Sequence, residues 1–73
     1  MKDDFDAFEK RLGRETIYLF NDMEDAVVKS TPEGYWVKIK GMEEFKAKPG
    51  SSLVADAVLE RKEITKKEYD DFE

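Results

Sequence analysis

The chain has 73 residues and a formal charge of −5, with 42% charged and 40% hydrophobic residues and neither Cys nor His. This length lies near the lower limit for unaided folding and predicts one small domain, residues 1–73, burying roughly 60% of its unfolded surface. The missing Cys and His exclude disulfide staples, Cys/His zinc sites and imidazole or thiol catalysis, while net acidity argues against general affinity for nucleic acid.

No apolar run approaches the ~20 residues that span a bilayer. The acidic start from Met1 to Asp6 lacks the apolar stretch of a secretion signal. A cytoplasmic protein without membrane association is expected. Charge is segregated along the chain. Residues 1–26 hold eight acids against four bases, residues 27–50 three acids against five lysines, and residues 51–73 seven acids against four bases. Acidic ends therefore flank a mildly basic centre.

Phe5, Phe8 and Leu12 recur at helical spacing after a possible cap at Asp3 or Asp4, with Asp6 and Lys10 at i,i+4. This predicts a helix over 4–12 that ends at Gly13 in the left-handed conformation. Glu15 to Phe20 is β-branched and aromatic, and reads as an inner strand or one covered on both faces. Asp22, Glu24 and Asp25 break that pattern. Ala26 to Ser30 forms a second strand, with a short helix over 22–29 as the competing reading because Met23, Ala26 and Val27 share a helical face.

Thr31-Pro32-Glu33-Gly34 is a turn, in which proline presets φ and glycine accepts a left-handed backbone. Its register is open between pairing Thr31 with Tyr35 and pairing Pro32 with Tyr35. From Tyr35 onward the chain alternates with period two. Tyr35, Val37, Ile39, Phe45 and Ala47 fall on one face, and Trp36, Lys38, Lys40, Lys46 and Lys48 on the other. Pairing Lys40 with Glu44 sets Ile39 against Phe45 and Val37 against Ala47, with a loop at 41–43. It also opposes Lys38 to Lys46, which calls for something acidic nearby.

Pro49 and Gly50 end this strand, and Ser51 or Ser52 caps a helix carrying Leu53, Val54, Ala57 and Val58. Thr65 to Glu68 is a capping box, flanked by Ile64 and Tyr69 as a hydrophobic staple, and opens a last helix with Tyr69 and Phe72 on one side. The segment from Leu59 to Tyr69, under a third of the chain, resembles the second half of the helix–turn–helix tails called SHOCT domains. It carries Lys62 or Glu63 where those show glycine.

These elements predict an α+β fold with an N-terminal helix, a three- to four-stranded antiparallel meander and two C-terminal helices packed on one sheet face. The core joins Phe5, Phe8, Leu12, Leu53, Val54, Ala57 and Val58 to the Tyr35, Val37, Ile39 and Phe45 face. Ile64, Tyr69 and Phe72 complete that core or serve an interface.

No catalytic, cofactor or metal site is expected. Asp22, Glu24 and Asp25 lack the alternation and central glycine of a calcium loop, and the glycine–serine turn at 50–52 lacks the spacing of a phosphate loop. The candidate interaction face is Trp36, Lys38, Lys40, Lys46 and Lys48, with Trp36 opposite most of the helical packing. The leading expectation is a non-enzymatic protein-interaction module that binds another protein or itself as a homodimer. Two alternatives are a weak single-stranded nucleic-acid binder using the Lys/Trp face, and an acidic inhibitor mimicking nucleic acid with the carboxylates of both chain ends.

Overall fold

The computed structural model describes residues 2–72, with side chains from Ala7 onward. Phe5, expected in the core, the Asp6–Lys10 pair and the terminal Glu73 therefore lie outside what is described. The chain forms α1 (Lys2–Arg11), β1 (Ile17–Asn21), β2 (Ala26–Thr31), β3 (Gly34–Ile39), β4 (Phe45–Lys46), α2 (Ser52–Glu60), β5 (Glu63–Ile64) and α3 (Lys66–Asp71). The strands build one antiparallel sheet in the order β4-β3-β2-β1-β5. The α+β class is as expected. The sheet has five strands rather than three or four, and residues 26–31 are strand, not helix.

Period-two alternation sorts the sheet into two faces. One face carries Ile17, Leu19, Val28 and Val37, which are buried with Phe8 of α1 and Val54 and Ala57 of α2. Leu12, Tyr35, Ile39, Ala47, Leu53 and Val58 pack around this cluster. Helix α1 starts at Lys2, so Asp3 and Asp4 lie inside its first turn rather than before it. The chain then turns at Gly13, with φ 81°. Ser51 caps α2 by accepting from Val54 N, and Arg61 closes it in the left-handed conformation.

The last helix departs from the prediction of two helices on one face. Glu63 and Ile64 pair with Leu19 and Tyr18 as β5, and Phe20 donates to Lys62 O at 2.8 Å. This edge strand carries the chain across β1, so α3 packs on the sheet face opposite α1 and α2. Tyr69, 1% exposed, sets its ring 5.2 Å from that of Tyr18. The segment resembling a helix–turn–helix tail is thus built into the sheet. Its capping box forms completely: Glu68 N donates to Thr65 Oγ1 (3.1 Å) and Thr65 N to Glu68 Oε1 (2.8 Å).

Both hairpin registers also differ from expectation. In the first, Thr31 pairs with Gly34 and Ser30 with Tyr35 around a two-residue Pro32-Glu33 turn, so neither predicted pairing occurs. Thr31 Oγ1 tightens the turn by donating to Gly34 O and accepting from Glu33 N, both at 3.1 Å. In the second, Val37 pairs with Phe45 and Trp36 with Lys46. That is a slip of two residues from the predicted register, and the loop lengthens to 40–44. A two-residue slip keeps every side chain on its face, so the apolar pattern is blind to it. The slip also removes the Lys38–Lys46 opposition and sets Trp36 opposite Lys46.

Among the described residues, one buried side-chain group lacks a partner. Ser30 is 0% exposed and its Oγ makes no hydrogen bond. A buried unpaired hydroxyl costs about 1–3 kcal/mol, a penalty that alanine relieves while losing the packing contacts of Oγ. Ser30→Ala is therefore expected to raise stability by about 1 kcal/mol in urea denaturation. A loss of that size would show that the hydroxyl is bonded.

Candidate functional site

The five residues expected to form one interaction face do not assemble as one. Trp36, Lys38 and Lys46 lie on the α3 side of the sheet. Lys40 follows β3 in the turn, where its Nζ is 3.9 Å from Asp25 and its backbone N–H donates to Asp25 O at 3.2 Å. Lys48 lies beyond the end of β4. Trp36 does lie opposite most of the helical packing, as predicted.

Lys38 is already engaged. Its ammonium donates to Tyr69 O (2.9 Å), which also accepts from Phe72 N (3.2 Å), and to Asp70 O (3.2 Å), both in the last turn of α3. A cation there is favoured by the helix dipole, and the same group stands 4.8 Å from the Tyr69 ring centroid. An acidic cover was one expectation for the lysine face; α3 reaches Lys38, while Lys40 and Lys46 stay exposed. The partners are carbonyls and one aromatic ring more than the acids of the tail.

Glu44 ties this arrangement together. The Tyr69 hydroxyl donates to Glu44 Oε2 at 2.6 Å, and Lys29 Nζ lies 3.4 Å from the same oxygen. The phenol's hydrogen bond, followed by the nearby Lys29 charge, holds the Glu44 carboxyl below its usual range. Burial, followed by the Glu44 bond, pushes the Tyr69 phenol well above its own. Lys29 was not among the sequence candidates. It sits directly opposite Trp36, and its ammonium and that of Lys46 each stand 5.4 Å from the Trp36 ring centroid. The indole is therefore held between two cations.

A second carboxylate is held the same way. Arg11 grips Glu63 with both terminal nitrogens (3.0 and 2.5 Å), fastening α1 to β5, and this bond lowers the Glu63 carboxyl. Glu44 and Glu63 thus bind protons more weakly in the folded chain than in the unfolded one. Their stabilisation is present above the unfolded carboxylate value of 4.5 and is lost as pH falls through the lower folded values. Acid titration of stability should show this loss below about pH 4.5, with Glu44→Gln showing a smaller one. An unchanged profile in that variant would contradict the Glu44 assignment.

The structure also contains a surface that no sequence motif announced. Helix α2 lies over β1 and β2, leaving the β3–β4 half of the core face partly open. The result is an apolar groove of about 1010 Å³ lined by Leu12, Tyr35, Ala47, Val54, Val58 and Leu59. Leu59 is 72% exposed there, and Phe45 at the sheet edge is 40% exposed. Lys46, Lys48 and Glu33 supply the charged lining. The only hints in sequence were more large apolar residues than one small core uses.

The acids at 22–25 are turn residues. Asp22 pairs with Lys62 at 3.2 Å and Asp25 with Lys40, and the described residues contain no group of three or more side chains placed to hold a metal ion. Among the described residues no helix is long and apolar enough to cross a membrane. Comparison of the chain with protein-family models, curated protein sequences and solved structures finds no match.

Proposed function

We propose that this chain is a non-enzymatic protein-interaction module whose working surface is the groove between α2 and β4. The observation that carries this is the partly open β3–β4 half of the core face, where apolar side chains that could have been fully buried line an open groove. Exposed apolar area of this kind, rimmed by charge, is the ordinary mark of a protein-binding surface.

The two alternatives have less support. A nucleic-acid path across the Lys/Trp face would need Lys38, which is bonded beneath α3, and Lys40, which pairs at the turn. Mimicry of nucleic acid needs the acids of both chain ends on one surface, whereas α1 and α3 lie on opposite faces of the sheet.

Selection of linear peptides from a random display library against the whole chain tests the proposal. Binders should lose at least tenfold in affinity when the exposed Leu59 becomes Asp. No binders, or binders indifferent to Leu59→Asp, would overturn it.

A further inference from the structure

Resting on that reading, we infer that the groove takes an extended segment of alternating acidic and apolar residues, which adds to β4 as a sixth strand. Ala47 N donates to Tyr35 O at 2.8 Å, and Val37 pairs with Phe45. In an antiparallel ladder, bonded and non-bonded positions alternate. Phe45 and Ala47 therefore spend their peptide groups on β3, while the N–H and C=O of Lys46 point away from the sheet. β4 ends the strand order, so those groups face an open edge.

An added strand would extend both faces of the sheet at once. Its residues on the core face would lie beside Phe45 and Ala47, over the groove and against Val58 and Leu59. Its residues on the other face would lie beside Lys46. Period two thus asks for apolar side chains at one set of positions and acids at the next. Main-chain bonds would supply affinity, and the alternating neighbours specificity.

Charge separates this occupant from a second copy of the chain. Edge-to-edge pairing of two β4 strands would set Lys46 and Lys48 of one molecule near the same lysines of the other, which is unfavourable. A two-residue edge strand carrying lysine and followed by Pro49 is guarded against its own kind. It is not guarded against an acidic strand. The lysines that discourage self-pairing leave the β4 edge beside the groove positively charged in a chain of −5.

The probe is a soluble acetylated peptide of alternating Glu and Val, titrated into the whole isotope-labelled chain while backbone amides are followed by NMR. The Lys46 amide should move downfield and gain protection from exchange, and affinity should fall at least tenfold for a Lys-Val peptide or for a scrambled Glu/Val peptide. Lys46→Pro removes the outward N–H without touching the bonds to β3, and Lys46→Thr removes only the side chain. The proline variant should bind at least fivefold more weakly than the threonine variant, with the amide spectrum of each confirming an intact sheet.

Equal binding by the two variants, or no binding of the Glu-Val peptide, overturns the strand-addition inference. If library binders still depend on Leu59 in that case, the groove remains a protein-binding surface for another kind of segment. A helical spacing of apolar residues in those binders would identify a helix as the occupant. Concentration-dependent dimerisation in light scattering, abolished by Lys46→Pro, would replace the acidic partner with a second copy.

Discussion

Tyr69→Ala is expected to lower the free energy of unfolding by about 3–5 kcal/mol, the usual cost of truncating a large buried aromatic. Tyr69 is the only large side chain that α3 buries fully, and it meets four partners: the Tyr18 ring, the Lys29 and Lys38 ammonium groups and the Glu44 carboxylate. Without it, α3 is six residues held by one capping box and the Lys38 bonds to its last-turn carbonyls, with no buried apolar side chain of its own. The loss is large against the few kcal/mol that a core of this size supplies.

Tyr69→Phe separates packing from polarity. It keeps the ring and removes only the bond to Glu44, a half-exposed carboxylate that retains Lys29, so about 1 kcal/mol is expected. Urea denaturation of both variants gives the comparison. A loss below 1 kcal/mol in Tyr69→Ala would mean that α3 does not pack on the sheet. Equal losses in the two variants would place the whole effect in the hydroxyl.

What could be read from sequence follows the range of the forces involved. The Thr65–Glu68 capping box and the Gly13 and Ser51 helix boundaries are local, and each is set by residues within one turn. The two faces of β3 were legible because alternation needs no knowledge of the partner strand. Register was not, since a slip of two preserves the faces, and the deciding interactions of Lys38 and Glu44 involve Tyr69, far along the chain. Strand β5 is two residues long and reads as the approach to a helix. Because β5 was hidden, so was the crossing of α3 to the lysine face. Lys29 could have been added to the Trp36 cluster only by knowing the first hairpin's register. The groove is an absence of cover, and no motif encodes that.

Asn21→Asp is the second large change expected, with a signature in pH that opposes that of the natural acids. Asn21 is 0% exposed at the end of β1. Its amide Nδ2 donates to Leu53 O at 2.9 Å, and its Oδ1 accepts from Glu24 N at 3.1 Å. The first bond fastens the opening turn of α2, the helix that supplies Val54, Val58 and Leu59 to the groove. An ionised aspartate keeps an acceptor for Glu24 but sets a second oxygen against the Leu53 carbonyl, buried and without a donor between them.

A loss of about 3 kcal/mol at pH 7 follows, equivalent to a carboxyl that titrates about two pH units above its unfolded value of about 3.9. A carboxyl raised on folding destabilises fully above its folded value and progressively less as pH falls toward the unfolded one. The protonated acid can donate to Leu53 O much as the amide does. The gap between Asn21→Asp and the natural chain should therefore narrow between pH 7 and pH 4, while Asn21→Ala, which lacks both bonds and cannot titrate, keeps a constant deficit of about 1–3 kcal/mol. Peptide affinity at the groove should follow the aspartate variant's stability, weak at pH 7 and regained in mild acid. A gap that stays constant with pH would show that position 21 remains in contact with water, and that α2 is held over the sheet by apolar packing alone.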